Sequence, residues 1–158
     1  MDLSELKRVL GDLIRGGRGL AGVEVLSAYP AGSHLALPSP AVLLSIEGVE
    51  LSPGGLQGFA RAGGQAEITL RFDFYARGDG GGLGTLYEAL CGLLIERGGA
   101  LGVCRIWCAP LAWDEVVGGY RLTARVRLRG RVVASASAEA SACDEGGVRG
   151  FDLRAEVG

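Results

Sequence analysis

The sequence has one lysine, one histidine and no asparagine, and these shortages restrict the chemistry that the chain can carry. Because Lys7 is the lysine, the Gly-Lys-Ser/Thr step of a phosphate-binding P-loop is missing. Because His34 is the histidine, a metal site with several histidine ligands is excluded, and a Ser-His-Asp or Cys-His site would have to use this side chain. No G-x-S-x-G motif accompanies it. We therefore expect no enzymatic activity, no cofactor and no metal.

Long apolar runs are also missing, since no segment approaches the ~18 consecutive apolar residues that cross a bilayer. The first residues, MDLSELKRVLGDLIRGG, mix charged and apolar side chains, unlike the uninterrupted apolar core of a signal peptide. We therefore expect no membrane partner, and a protein that stays in the compartment where it is made. In a reducing compartment Cys91, Cys104, Cys108 and Cys143 are expected to be free thiols.

Neither sign of charge is in large excess, because the chain has 16 basic and 18 acidic residues and a net charge of -2. This balance provides no general field that would attract nucleic acid. The basic residues other than Lys7 are nevertheless all arginine, whose planar guanidinium holds carboxylates or phosphates in fixed geometry. A GC-rich genome produces the same bias, and abundant Gly, Ala and Arg without Asn favour this genomic explanation.

The clearest structural signal lies in residues 65–98, where a strand pattern is followed directly by a helix pattern. Apolar and polar side chains alternate over 68–74, which makes one face of the predicted strand apolar. Leucines then recur at steps of three and four over 83–94, as on one side of a helix. Thr85 and Glu88 have the spacing of a capping box, which predicts the helix start.

Shorter patterns of the same kinds occupy the rest of the chain. Apolar spacing predicts a first helix over Leu3–Arg15. Further strands are predicted over 21–28, 41–46, 103–108, a long segment from 120 that bends or restarts at Gly130, and 151–157. Residues 47–64 are glycine-rich and predicted to be a long loop that orders against another subunit.

The connections between most predicted strands are too short for crossover helices, which favours a largely antiparallel sheet. We predict an α+β fold in which two helices pack on one face of this sheet, with a C-terminal β-hairpin extension. Residues 1–131 form the main part of one domain. Residues 132–158 form the hairpin extension of the same domain.

A row of arginines on one side of the last long strand is the strongest charge pattern. The candidate intersubunit or lumen-facing residues are Arg121, Arg125, Arg127, Arg129, Arg131, Arg71 and Asp73. Same-side neighbours lie ~6 to 7 Å apart and repel unless carboxylates, phosphates or water separate them. Glu67 and Asp73 lie on the polar side of the other clear strand, so we favour cross-strand pairing. The second reading, which stays open, is a face that meets an acidic neighbour or borders a channel for DNA.

Two other groups of residues have structural explanations. Cys104 and Cys108 share one face of a predicted strand about 13 Å apart at ~3.3 Å per residue, too far to hold one ion. We expect both to be core cysteines. Asp114 and Glu115 are adjacent in sequence only, and we expect both to be solvated.

The order of these landmarks resembles that of the tail terminator proteins of tailed bacteriophages and of phage-tail-like particles. The matching segments, in order, are the N-terminal helix, Tyr29-Pro30 after a strand, Pro38-Ser39-Pro40 before AVLLSI, the strand EITLRFDFYA, the helix LYEALCGLLIE and the strand YRLTARVRL. The resemblance covers residues 1–131. It rests on element order and pattern, and includes no catalytic motif.

The resemblance implies a subunit that forms a ring, usually a hexamer, at the head-proximal end of the tail tube. Such a protein ends tube polymerisation and offers a surface for head joining. The implied partners are further copies of the chain, the tail tube protein and head–tail connector proteins, with DNA passing through the ring without sequence-specific binding. The implied location is the virion tail, after assembly in the bacterial host cytoplasm. The alternative is another head–tail joining or tail tube component of such a particle.

Overall fold

The computed structural model describes residues 2–26, 37–53, 64–132 and 151–152. The helices in these ranges are α1 (Leu3–Arg15) and α2 (Leu83–Arg97), and a 3₁₀ turn (Gly98–Leu101) follows α2. The strands are β1 (Glu24–Leu26), β2 (Ala41–Pro53), β3 (Gly64–Ala76), β4 (Val103–Cys108), β5 (Ala112–Asp114), β6 (Gly119–Val132) and β7 (Phe151–Asp152).

Three long strands, β2, β3 and β6, form the centre of one sheet. β3 pairs antiparallel with both of the others. The edge of β6 that faces away from β3 pairs antiparallel with three short strands, which are β5, β4 and β7 in order along β6. β1 pairs in parallel with β2. The sheet is therefore largely antiparallel, as predicted.

Both helices pack on the same sheet face, which confirms the predicted layer order. This face carries the even-numbered side chains of β3 and β6, and burying each large apolar side chain contributes about 1.5–3 kcal/mol. The buried strand residues are Ile68, Leu70, Phe72, Phe74, Leu122, Ala124, Val126 and Leu128. The helical residues buried against them are Leu6, Leu10 and Ile14 from α1 and Leu83, Leu90, Leu93 and Leu94 from α2. The α+β fold follows from two apolar surfaces that cover each other.

The two helices begin differently. Asp2 caps α1, because its Oδ1 accepts a hydrogen bond from the Glu5 backbone N–H at 2.7 Å. α2 begins at Leu83 after Gly82, which makes no side-chain cap. The predicted capping box is therefore wrong, since Thr85 and Glu88 lie inside the helix.

β2 is longer than predicted, because residues 47–53 continue the strand rather than starting a loop. The register with β3 shifts between Ile46 and Gly48, so Glu47 is an extra residue in the ladder. This bulge reverses the alternation, and Val49 and Leu51 then lie on the same face as Ile46. The reversed phase hides the second half of the strand from a search for strict alternation. The rest of the predicted loop, 54–63, lies outside the described residues.

The predicted C-terminal hairpin lies largely outside the described residues as well. The described part of it is the short strand β7, in which Asp152 pairs with Arg131 and Phe151 with Val132. None of the helices in the described ranges is both long enough and apolar enough to cross a membrane.

Gly102, between the 3₁₀ turn and β4, has no room for a side chain. Its φ is +67°, and a Cβ there would overlap the backbone carbonyl oxygen of Arg129 on β6. We expect Gly102→Ala to lower the free energy of unfolding by about 2–4 kcal/mol, because the strand or the turn must shift. Urea unfolding monitored by circular dichroism measures this change.

Gly92 on α2 provides the matched control, since nothing lies within 4 Å of a Cβ built at this position. Gly92→Ala should raise the free energy of unfolding by about 0.5–1 kcal/mol through helix propensity. Equal stabilities of the two variants would contradict the close packing of Gly102 on β6.

Candidate functional site

The predicted site residues share the sheet face that is opposite to the helices. On β6 they are the odd-numbered Arg121, Arg125, Arg127, Arg129 and Arg131, and on β3 they are Arg71 and Asp73. The register places Arg71 directly opposite Arg125 and Asp73 opposite Thr123. We call this surface, together with the acidic residues that contact it, the arginine face.

Carboxylates separate the central arginines of this face. Arg125 makes a two-point contact with Glu47, in which Nε and Nη2 lie 2.6 Å and 2.9 Å from the two carboxylate oxygens. Glu67 is shared, with Arg127 Nη1 at 3.4 Å and Arg129 Nη2 at 2.7 Å. The structure therefore supports the cross-strand pairing that the alternation indicated.

Asp73 is the buried acid of the arginine face, with 1% of its surface exposed. Its Oδ1 accepts a hydrogen bond from Thr123 Oγ1 at 2.5 Å, and its Oδ2 lies 2.8 Å from Arg71 Nε. A carboxylate at this depth is tolerated only when it is paired and hydrogen-bonded. Asp73 therefore holds β3 to β6 by side-chain contacts in addition to the backbone ladder.

Arg121 is held by an acid that was expected to be solvated. Asp114 Oδ2 accepts from Arg121 Nη1 at 2.9 Å, while its Oδ1 accepts from the N–H groups of Val116 and Val117. Burial disfavours the charged guanidinium, but the hydrogen bond with Tyr75 and the charge of Asp114 raise the pKa of Arg121. The expectation for Asp114 was wrong because β5 pairs with β6 and brings the two residues together.

β4 adds an aromatic residue that sequence reasoning missed. Trp107 pairs with Arg125 in the ladder, so it lies on the arginine face. The guanidinium carbons of Arg105 and Arg127 lie 5.1 Å and 5.9 Å from the centre of its ring. These distances are in the cation–π range. The alternation of Arg105 and Trp107 along β4 could have placed both side chains on one face of the strand. It could not show which residues of the neighbouring strand would contact the ring.

Glu47 was also missed, because its segment was predicted to be a loop. The hydrogen bond from Arg125 lowers the pKa of Glu47, and the same contact raises the pKa of Arg125. Five arginines of this face each have a carboxylate within 4 Å, and they are Arg71, Arg121, Arg125, Arg127 and Arg129. The arginine face is consequently an ion-paired network rather than a bare cationic stripe.

The prediction that Cys104 and Cys108 are core cysteines is wrong, because both are exposed on the outer strand β4. Cys104 lies at a register shift, and its Sγ is 3.3 Å from the carbonyl oxygen of Arg127. Burial and the neighbouring thiol of Cys91 raise the pKa of Tyr87 on α2, and the thiol of Cys108 on β4 acts in the same direction.

Comparison with known proteins assigns no family to this geometry. Neither a scan of protein-family models nor a search of curated proteins finds a match to the chain. Within the described ranges, no group of three or more His, Cys, Asp or Glu residues is placed to hold a metal ion. The feature that these ranges do present is a charge-compensated sheet face with Trp107 towards one edge.

The contact between Glu47 and Arg125 should contribute to stability in a pH-dependent way. The two side chains are 33% and 28% exposed, so solvent screening limits the contribution. We expect Glu47→Gln to lower the free energy of unfolding by about 0.5–1 kcal/mol at pH 7. Because the pKa of Glu47 is lowered in the folded protein, this contribution is present above the ordinary value of 4.5 and is lost as the pH falls through the folded pKa.

Denaturant unfolding of both proteins between pH 7 and pH 3 tests this expectation. Glu50→Gln is the matched control, since Glu50 pairs in the ladder with another acid, Glu67. Its removal should be neutral, or stabilising by about 0.2–0.5 kcal/mol. A loss in Glu47→Gln that stays constant over this pH range would show that the ion pair is not its cause.

Proposed function

We propose that this protein is a structural subunit that forms a ring at the head-proximal end of a phage tail tube or phage-tail-like particle. On this proposal it ends tube polymerisation and offers the surface for head joining, so its partners are further copies of itself, the tube protein and head–tail connectors. The α+β arrangement implied by the tail terminator resemblance is the arrangement that the described residues adopt. The resemblance usually implies six copies in the ring.

The observation that carries the proposal is an exposed apolar cluster where β5 turns into β6. Leu111, Trp113 and Val116 are 44%, 55% and 63% exposed. The Trp113 ring meets the Tyr120 ring edge-on, with 5.2 Å between centroids, so it has a fixed position. Exposed large apolar side chains within six residues of the chain favour a surface that another protein covers, and tryptophan often dominates such contacts.

The two edges of the sheet offer different surfaces, as a ring subunit requires. At one edge β1 pairs only with Ala41–Leu43, and none of the other described strands pairs with the outer edge of β2 from Leu44 to Pro53. At the other edge lie β4 and β5. A ring is built from contacts between two unlike patches of each copy, and free strand edges supply contacts of this kind.

The arginine face is compatible with the lining of a channel through which DNA passes without sequence-specific binding. Phosphate binding depends on cations that are available to replace counterions. Arg125 and Arg127 already contact Glu47 and Glu67, respectively. A compensated surface of this kind gives weak, salt-sensitive contact with a polyanion and no base recognition.

The proposal is tested by removing the protein from the particle that carries it. We expect tails of uncontrolled length that lack heads, since nothing would stop growth of the tube or join it to the head. Electron microscopy of lysates measures the tail lengths. Supply of the intact chain in trans should restore uniform length.

Detached tails of normal length would instead indicate a head–tail joining role, and loss of all tails would indicate a tube component. Infectious particles of normal appearance would rule out a structural role in the tail. The mass of the purified protein, measured by sedimentation, provides an independent test, because the proposal requires a species of several copies.

A further inference from the structure

The β5–β6 hairpin presents a rigid apolar and acidic tip. Trp113 packs on Tyr120, and Asp114 fixes the turn through the N–H groups of Val116 and Val117. Arg121 compensates the charge of Asp114, so Glu115 supplies the exposed negative charge of the turn. We call Trp113, Glu115 and Val116 the hairpin tip.

A groove of about 420 Å³ lies at the opposite edge of the sheet, between α1 and strands β1 and β2. The rim includes Lys7, Arg8 and Arg15 from α1, and the floor includes Val25 and Leu44 from the sheet. We call this the α1 groove. Its walls are cationic and its floor is apolar, which is the complement of the hairpin tip.

The charge of the groove rim is only partly compensated by the nearest acid. Asp12 Oδ2 lies 3.5 Å from Arg8 Nη1, and Asp12 Oδ1 lies 2.9 Å from Arg15 Nη1. One carboxylate therefore serves two guanidinium groups. These three side chains together carry a net positive charge, which favours an acidic group that approaches the groove.

The register places the tip and the groove at nearby levels along the strands, at opposite edges of one sheet. Trp113 pairs with Tyr120, and Tyr120 pairs with Ala76 of β3. Val25 pairs with Val42 of β2, and Val42 pairs with Phe74 of β3. The two sites are thus offset by two residues, ~7 Å along the strands.

The tip and the groove also lie on the same face of the sheet, the face that the helices cover. Tyr120 and Val25 both pack against the core beneath the helices, and Trp113 shares the face of Tyr120. Copies placed side by side across the strand direction would bring the tip of one copy towards the groove of the next.

We propose that the hairpin tip of one copy docks in the α1 groove of the next, with Trp113 on the apolar floor and Glu115 against the cationic rim. This inference rests on the proposed ring and identifies the contact that builds it. Each copy contributes one tip and one groove, so the contact is between unlike surfaces and propagates from copy to copy. A ligand rich in phosphate is the other occupant that such a rim attracts, but it makes no use of the apolar floor.

Two blocked variants test the contact. Trp113→Ala removes the anchor of the tip. Gly11→Leu fills the groove, and a Cβ at Gly11 meets its nearest neighbours, Arg15 and Val25, only at 3.6 Å and 3.7 Å. We expect each variant alone to lose self-association by about 30-fold or more, as for a central aromatic contact. A 1:1 mixture should form dimers that do not grow. The intact tip of Gly11→Leu can dock in the intact groove of Trp113→Ala, and the dimer then has no second intact tip or groove.

Sedimentation velocity measures these species, and unfolding midpoints verify that each variant is folded. Ile95→Ser is the control, because Ile95 is 77% exposed on α2 and belongs to neither surface. It should assemble as the unaltered protein does. Exchange of charge gives a second readout, since Arg8→Glu and Glu115→Lys should each weaken assembly while the double variant recovers it.

Full-size rings from Trp113→Ala and Gly11→Leu would overturn this inference and leave the proposed ring in place. An unaltered protein that stays monomeric at all concentrations would overturn both. Binding of inorganic polyphosphate that Arg8→Glu abolishes, with assembly unchanged in that variant, would assign the groove to a polyanion instead. Failure of the charge exchange to restore assembly would also count against the docking.

Discussion

The unshifted register of β3 on β6 determines which side chains share each face of the sheet. The ladder runs from Gly64 opposite Val132 to Ala76 opposite Tyr120 without a bulge. Since side chains alternate along both strands, one register places the large apolar groups under the helices and the arginines on the other face. A slip by one residue would bury the arginines and expose the core. The apolar layer therefore determines the register, and the arginine face follows from it.

The arginine face shows how such a surface is kept stable. Closely spaced guanidinium groups repel, and carboxylates from other strands separate them here. Glu47 reaches Arg125 across β3 from the bulge in β2, and Glu67 lies between two arginines of β6. Asp73 is the buried member, where pairing offsets the cost of removing the charge from water. The network connects three strands and leaves few cations to bind a partner, which is why the proposed contacts lie at the sheet edges.

The edges of the sheet differ from its faces. The helices cover one face and ion pairs compensate the charges of the other, but neither covers the edges. The β5–β6 hairpin ends in exposed apolar side chains and one exposed carboxylate, whereas α1 and β1 form a groove with an apolar floor and a cationic rim. The same register that sorts the two faces also aligns these two sites along the strands. If the proposed docking occurs, assembly and folding depend on one geometric constraint, since the sheet that holds the core also sets the spacing between the hairpin tip and the α1 groove.

The sequence by itself determined the two helices, the apolar face of β3 and the alternation of β6, because local periodicity of apolar residues is a property of neighbours in the chain. It also placed all of the predicted arginines on one side. The tertiary structure alone decided their partners. Glu47 was missed because a bulge reverses the alternation of β2. Asp114 contacts Arg121 because the three-residue strand β5 pairs with β6. Trp107 lies beside the guanidinium groups of Arg105 on β4 and Arg127 on β6. Strand pairing joins residues that are far apart in sequence, and no local pattern records which strand lies beside which.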